Sequence, residues 1–144
     1  VLVSSTKLLR NVDYFYRQIT HEKTEITFVS TEVLDKLKKV HNVTDEKTAS
    51  WKFNRDFEAL ERTRKQLFTT DKRCLKISTI HSFKGWESPS VIIILENDTI
   101  SDNTNYLPTS PQAIYTAITR ARENMYIVNI GNNTYHNFFY NQSL

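Results

Sequence analysis

Apolar positions along the chain fall into two patterns. Five short runs are continuous rather than alternating: residues 1–5 (VLVSS), 26–30 (ITFVS), 75–79 (LKIST), 91–95 (VIIIL) and 125–130 (MYIVNI). Such runs, rich in β-branched residues, predict strands buried on both faces. Between them the apolar residues recur at helical spacing. Leu8, Leu9, Val12, Phe15, Tyr16 and Ile19 form one stripe, and Val33, Leu34, Leu37 and Val40 form another after a Ser30-Thr31 cap. Phe53, Phe57, Leu60 and Leu67 mark a third, longer helix. The sharpest helix start is SPQAIYTAITRAR: Ser110 suits an N-cap, Pro111 sits where a missing N–H costs nothing, and Ile114, Ala117, Ile118 and Ala121 make one apolar face. The aromatic-rich YHNFFY near the end predicts a terminal helix or tail packed on the sheet.

Strands alternating with helices predict a parallel, doubly wound α/β layer structure. Residues 41–50 and 97–110 carry the most loop-like composition. No repeat, low-complexity tract or inner boundary interrupts the pattern. A length of 144 residues with 39% hydrophobic content is read as one domain with a single core. The strand-like run at residue 1, with no initiator methionine or polar leader, fits a piece of a longer protein.

Charge changes the picture only slightly. Lys and Arg total 19 against 16 Asp and Glu, a formal +3, which favours an anionic partner weakly. The single cysteine, Cys74, excludes an intrachain disulfide and suggests a reducing compartment. With no apolar run long enough to span a membrane and no signal core, the cytoplasm is the expected location.

The chain has only two glycines, Gly85 and Gly131, so it cannot build G-x-x-x-x-G-K-[ST] or G-x-G-x-x-G. Any nucleotide it helps to bind is therefore held mainly elsewhere. His21, His41, His81 and His136 are scattered and unaccompanied by cysteine pairs, which argues against a zinc site. Chemistry concentrates in TIHSFKGWE, residues 79–87, just beyond the carboxyl end of a predicted strand, where open α/β folds place ligands. There Gly85 permits a positive φ or a close approach. Lys84 and His81 can donate to phosphate oxygens, and Glu87 can accept from a hydroxyl. The competing reading is a surface turn with solvated charges, with Trp86 a packing anchor.

In the second stretch, Arg120 and Arg122 flank the apolar face on opposite sides, and periodicity does not choose between them as a candidate arginine finger. The basic clusters Lys36/Lys38/Lys39 and Arg62/Arg64/Lys65 read as solvated helix faces, with tracking of a nucleic-acid backbone as the alternative.

Taken in order, ISTIHSFKGWESPSVIIIL and YTAITRARENMYIV closely resemble motifs V and VI of superfamily 1 DNA helicases of the UvrD/Rep/PcrA type. VLVSSTKLLRNVDYFYRQI is similar to the strand and helix that open the main part of that family's second RecA-like domain. The resemblance implies a RecA-like (P-loop NTPase-like) α/β three-layer sandwich with a mainly parallel sheet, lacking its own P-loop. It implies a C-terminal domain of an ATP-dependent, 3′-to-5′ DNA helicase or translocase acting in repair, replication or recombination. Its partners would be single-stranded DNA and an N-terminal RecA-like domain. ATP and Mg2+ are the implied cofactors, with the metal ligands on that missing domain and none here.

For matching positions, the resemblance implies that Arg120 is the finger, that Gly85 and Glu87 lie near the nucleotide, and that Thr79, His81 and Lys84 lie near DNA. The isolated chain is expected not to hydrolyse ATP. Alternatives are a catalytically inactive nucleic-acid or protein-binding module, a helicase fused to a nuclease, and an RNA substrate. Two departures stand out. Trp86 replaces the leucine usual in the family, and the stretch before residue 75 is too short for the large inserted subdomain of long UvrD-like enzymes.

Overall fold

The computed structural model describes residues 2–3, 6–44, 49–69, 73–97 and 110–142. Most of the loop expected at 97–110 and the middle of that at 41–50 lie outside the described residues. The chain divides into two compact units, one of Val1–Ser5 with Ser78–Leu144 and one of Thr6–Ile77.

The Thr6–Ile77 unit contains helix α1 (Thr6–Thr20), strand β2 (Thr24–Ile26), and helices α2 (Thr31–His41) and α3 (Trp51–Leu67). It also contains the start of strand β3 (Leu75–Thr79), which pairs in parallel with β2 through Thr24–Leu75, Glu25–Lys76 and Ile26–Ile77. The second strand was expected at 26–30. Instead the ladder ends at Ile26, and Thr27, Phe28, Val29 and Ser30 are buried beyond it, with the Thr27 N–H donating to the Ile77 carbonyl at 3.3 Å. Burial beyond the end of the ladder produced the same apolar letters as a strand.

Helix α2 begins after Ser30 and stops at Asn42, whose left-handed backbone (φ 52°) suits the short polar side chain that tolerates this region. Helix α3 starts where the Ser50 hydroxyl accepts the Phe53 N–H at 3.3 Å. The two helices meet over Val29, Leu34 and Phe53, flanked by Val33, Leu37, Phe57 and Leu60. His41 closes this packing edge-on to the Phe53 ring and 3.1 Å from Asp56.

The other unit contains β1 (Leu2–Val3), the end of β3, β4 (Ser88–Glu96), α4 (Pro111–Ile118), β5 (Ala121–Ile130) and α5 (Asn133–Gln142). Its strand order is β3, β1, β4, β5, and every pairing is parallel. Strand β4 buries Val91, Ile93 and Leu95, while Ile92 and Ile94 are half-buried, so the second face is sealed less fully than the expected two-sided burial. Strand β5 departs further: Met125, Tyr126, Val128 and Ile130 are all exposed, because among the described residues it pairs only with β4. The C-terminal aromatic segment does form a helix, capped by the Asn132 side chain accepting the Tyr135 N–H at 3.1 Å. Phe138 and Tyr140 on it remain exposed.

The architecture is thus mixed α/β with parallel strands, as the resemblance implied. No helix among the described residues is long and apolar enough to cross a membrane.

Candidate functional site

All six predicted site residues fall in the unit that contains Ser78–Leu144. Thr79 ends β3, and the chain turns at once. The Thr79 carbonyl accepts the Phe83 N–H at 3.1 Å, its Oγ1 accepts the Ser82 N–H at 3.2 Å, and its hydroxyl donates to the Ser82 Oγ at 2.9 Å. The hydroxyl of Thr79 is therefore occupied in closing the turn, as Ser and Thr side chains do when they compete for local backbone groups. Ile80 and Phe83 are buried and pin the turn to the core, which leaves His81 and Lys84 exposed between and after them. The alternation of apolar anchors with polar residues fixes which side chains face solvent.

Two further bonds complete the bend, from the Lys84 N–H to the His81 carbonyl (3.4 Å) and from the Trp86 N–H to the Phe83 carbonyl (3.0 Å). Gly85 takes φ +92°, and a β-carbon built there would meet nothing within 4 Å. Glycine is needed here for backbone conformation and not for space. Glu87 is exposed, and its carboxylate has no hydrogen-bond or ion-pair partner among the described residues. Trp86 is exposed, though only to 37%.

Arg120 arrives from the other direction. Ser110 caps α4 by accepting the Ala113 N–H at 3.3 Å, and Pro111 occupies its first turn, as expected. The helix ends at Ile118, however, and Ala121 belongs to β5 rather than to the helical apolar face. Thr119 and Arg120 close the helix with N–H bonds to the Tyr115 and Ala117 carbonyls, both at 3.1 Å.

The Arg120 guanidinium then folds back over this corner. Its Nε donates to the Thr116 carbonyl (3.2 Å), its Nη2 to the Thr119 hydroxyl (3.1 Å), and its Nη1 to the Trp86 carbonyl at a marginal 3.5 Å. The Arg120 carbonyl accepts the Ser88 N–H at 3.0 Å. These bonds draw Arg120 against residues 86–88, so the two sequence stretches form one ridge. Among the described residues, every acceptor of the guanidinium is a neutral oxygen. Arg122, the other candidate, is exposed within β5 and takes no part in this corner.

The sequence reading did not anticipate Thr116, Thr119 or the Trp86 carbonyl as holders of Arg120. The available signal was the i, i+4 spacing of Thr116 and Arg120 at a helix end with Thr119 adjacent. Among the described residues no group of three or more His, Cys, Asp or Glu side chains is placed to hold a metal ion.

A protein-family model described as the UvrD-like helicase C-terminal domain matches residues 3–132. The chain belongs to the UvrD-like helicase C-terminal domain family. This chain is also 42% identical, over 64 residues, to the ATP-dependent DNA helicase HMI1, mitochondrial, of Saccharomyces cerevisiae. That match covers 44% of this chain and 8% of the yeast protein.

Proposed function

We propose that this UvrD-like domain is the C-terminal RecA-like half of an ATP-dependent DNA helicase or translocase, and that Arg120 is its arginine finger. The observation that carries the reading is the guanidinium held, among the described residues, by neutral oxygens. Neutral acceptors orient the fork without cancelling its charge, so the field remains available to an anionic phosphate brought against the corner. A preorganised charge of this kind acts on the transition state, where charge on the transferring phosphoryl group develops.

In this reading Gly85 and Glu87 lie beside the nucleotide. Glu87 supplies an exposed carboxylate able to accept from a ribose hydroxyl, and Gly85 permits a close backbone approach. His81 and Lys84, exposed on the turn, would contact the DNA backbone, and Thr79 contributes through the turn that its hydroxyl closes. ATP would be cradled, and Mg2+ coordinated, chiefly by an N-terminal RecA-like domain; the metal supplies charge neutralisation on the phosphates when bound. This domain adds the finger and half of the cleft wall.

The test is DNA-stimulated ATPase. The full-length protein should hydrolyse ATP in response to single-stranded DNA, whereas the 144-residue chain alone should not. Replacing His81 and Lys84 together by Ala should raise the DNA concentration needed for half-stimulation. Robust DNA-stimulated turnover by the isolated chain would overturn the assignment of the phosphate cradle to another domain.

A further inference from the structure

Helix α3 presents a second surface, in the Thr6–Ile77 unit, that none of these roles uses. Trp51, Arg55, Glu58, Arg62 and Lys65 follow one another at spacings of four, three, four and three, which puts them on one stripe of the helix. The opposite side carries Phe53, Phe57 and Leu60, packed into the core with α2. The stripe therefore faces away from the core, and all five of its residues are exposed.

Trp51 is 66% exposed, which leaves its indole open to a partner. Two cations attend its ring: the Arg55 guanidinium carbon lies 5.4 Å and the Lys52 Nζ 5.8 Å from the ring centroid. Such contacts preorganise the indole and gather positive charge around it.

The acids of α3 are mostly directed elsewhere. Asp56 lies off the stripe, where His41 on α2 reaches it, and Glu61 is half-buried with Lys65 at 3.8 Å. On the stripe itself Glu58 is the single acid against Arg55, Arg62 and Lys65, with Lys52 beside Trp51. The ion pairs of Arg55 with Asp56 (2.9 Å) and Lys65 with Glu61 (3.8 Å) are partly exposed on their basic side, where a stronger anion can compete for the cation.

We infer that this stripe is a binding surface for single-stranded DNA, with Trp51 stacking on a base and Lys52, Arg55, Arg62 and Lys65 following the phosphates. An aromatic platform at one end of a cationic row about 21 Å long matches the combination by which proteins hold single strands without reading sequence. The identity of the polyanion rests on the proposed function above. The surface itself does not include Thr79, His81 or Lys84.

The experiment uses the 144-residue chain and fluorescein-labelled oligothymidine, read by anisotropy. Tryptophan emission is read separately in a Trp86→Phe background, where Trp51 is the remaining indole. Binding should quench Trp51, and Trp51→Ala should weaken affinity about thirtyfold, the middle of the range for one stacked base. Trp51→Phe should restore most of the loss. Arg55→Gln combined with Arg62→Gln should lower the slope of log affinity against log salt by about 1.4, two contacts at about 0.7 each. An abasic strand should bind weakly and leave Trp51 emission unchanged.

Binding that depends on His81 and Lys84 but leaves Trp51 unquenched would overturn the α3 surface and spare the motif V reading. Quenching that persists when His81 and Lys84 are replaced, with affinity unchanged, would support α3 and remove those residues from the DNA site. Tighter binding of oligouridine than of oligothymidine would overturn DNA as the ligand of the stripe.

Discussion

Two arginines at helix ends, Arg17 and Arg120, are handled in opposite ways. Arg17, in the last turn of α1, donates to Asp13 through Nε (3.2 Å) and Nη2 (2.9 Å), and Nη2 also reaches Glu32 on α2 at 2.7 Å. Asp13 is fully buried and accepts in addition from the Thr24 hydroxyl. That cation is neutralised by two carboxylates and ties α1 to α2. Arg120 is held at a helix end as well, but by two carbonyls and a hydroxyl. The first arrangement consumes the charge in the fold, and the second orients it and leaves it unspent. In the proposed reading this difference marks Arg17 as structural and Arg120 as available to a phosphate.

Removing each arginine's role should therefore break different properties. The largest effect expected is on turnover: Arg120→Ala in the full-length protein should lower the DNA-stimulated ATPase rate about a thousandfold, with thermal unfolding unchanged. Next is Asp13→Ala, which removes a buried carboxylate together with its bonds from Arg17 and Thr24 while leaving Arg17 on Glu32, and should cost about 2 kcal/mol in urea unfolding of the chain. Thr119→Val removes one acceptor from Arg120 while preserving shape, and a roughly tenfold loss of turnover is expected, about 1.4 kcal/mol. Ser50→Ala deletes the α3 cap at a cost of about 1 kcal/mol, visible as a lowered urea midpoint with no loss of turnover per folded molecule.

The smallest effect is on pH. Burial pushes the Glu32 carboxyl up, but its own backbone N–H, Arg17 and Ser30 together outweigh burial and hold it below the ordinary carboxylate value. Asp56 is lowered chiefly by its hydrogen bond from Arg55, aided by His41. Carboxylates with depressed folded values contribute stability above their unfolded pKa, and lose it as pH falls through the folded value. Unfolding midpoints should accordingly decline as pH drops below about 4, and Glu32→Gln should flatten the decline. A midpoint indifferent to acid would show that these pairs contribute nothing.

The contrast also marks what sequence could tell. Helix α4 was legible at its start because Ser110 and Pro111 each have a local physical reason to be there. Its end was not, because Ala121 fits both the helical face and the strand that follows. Strand β5 was legible as a strand but not as an exposed one, since β-branched and aromatic letters report compatibility with the pleat and not the neighbour that covers it. At the site, Gly85 and the residues around it stood out through their chemistry, and helical periodicity left Arg120 and Arg122 equal. The corner distinguishes them through carbonyl oxygens of Thr116 and Trp86, groups that every residue has and no letter announces. The cationic stripe of α3 was likewise readable as charge, while the exposure of Trp51 at its end was not.

The most direct test of an uncancelled charge at Arg120 is the affinity of the full-length protein for a mimic of the transferring phosphate. ADP with aluminium fluoride and ADP alone would be titrated against the unaltered protein and Arg120→Ala. The arrangement around Arg120 predicts that Arg120→Ala weakens the fluoride complex about a thousandfold while ADP affinity stays within a few-fold. Equal affinities for the fluoride complex with and without the Arg120 side chain would contradict it.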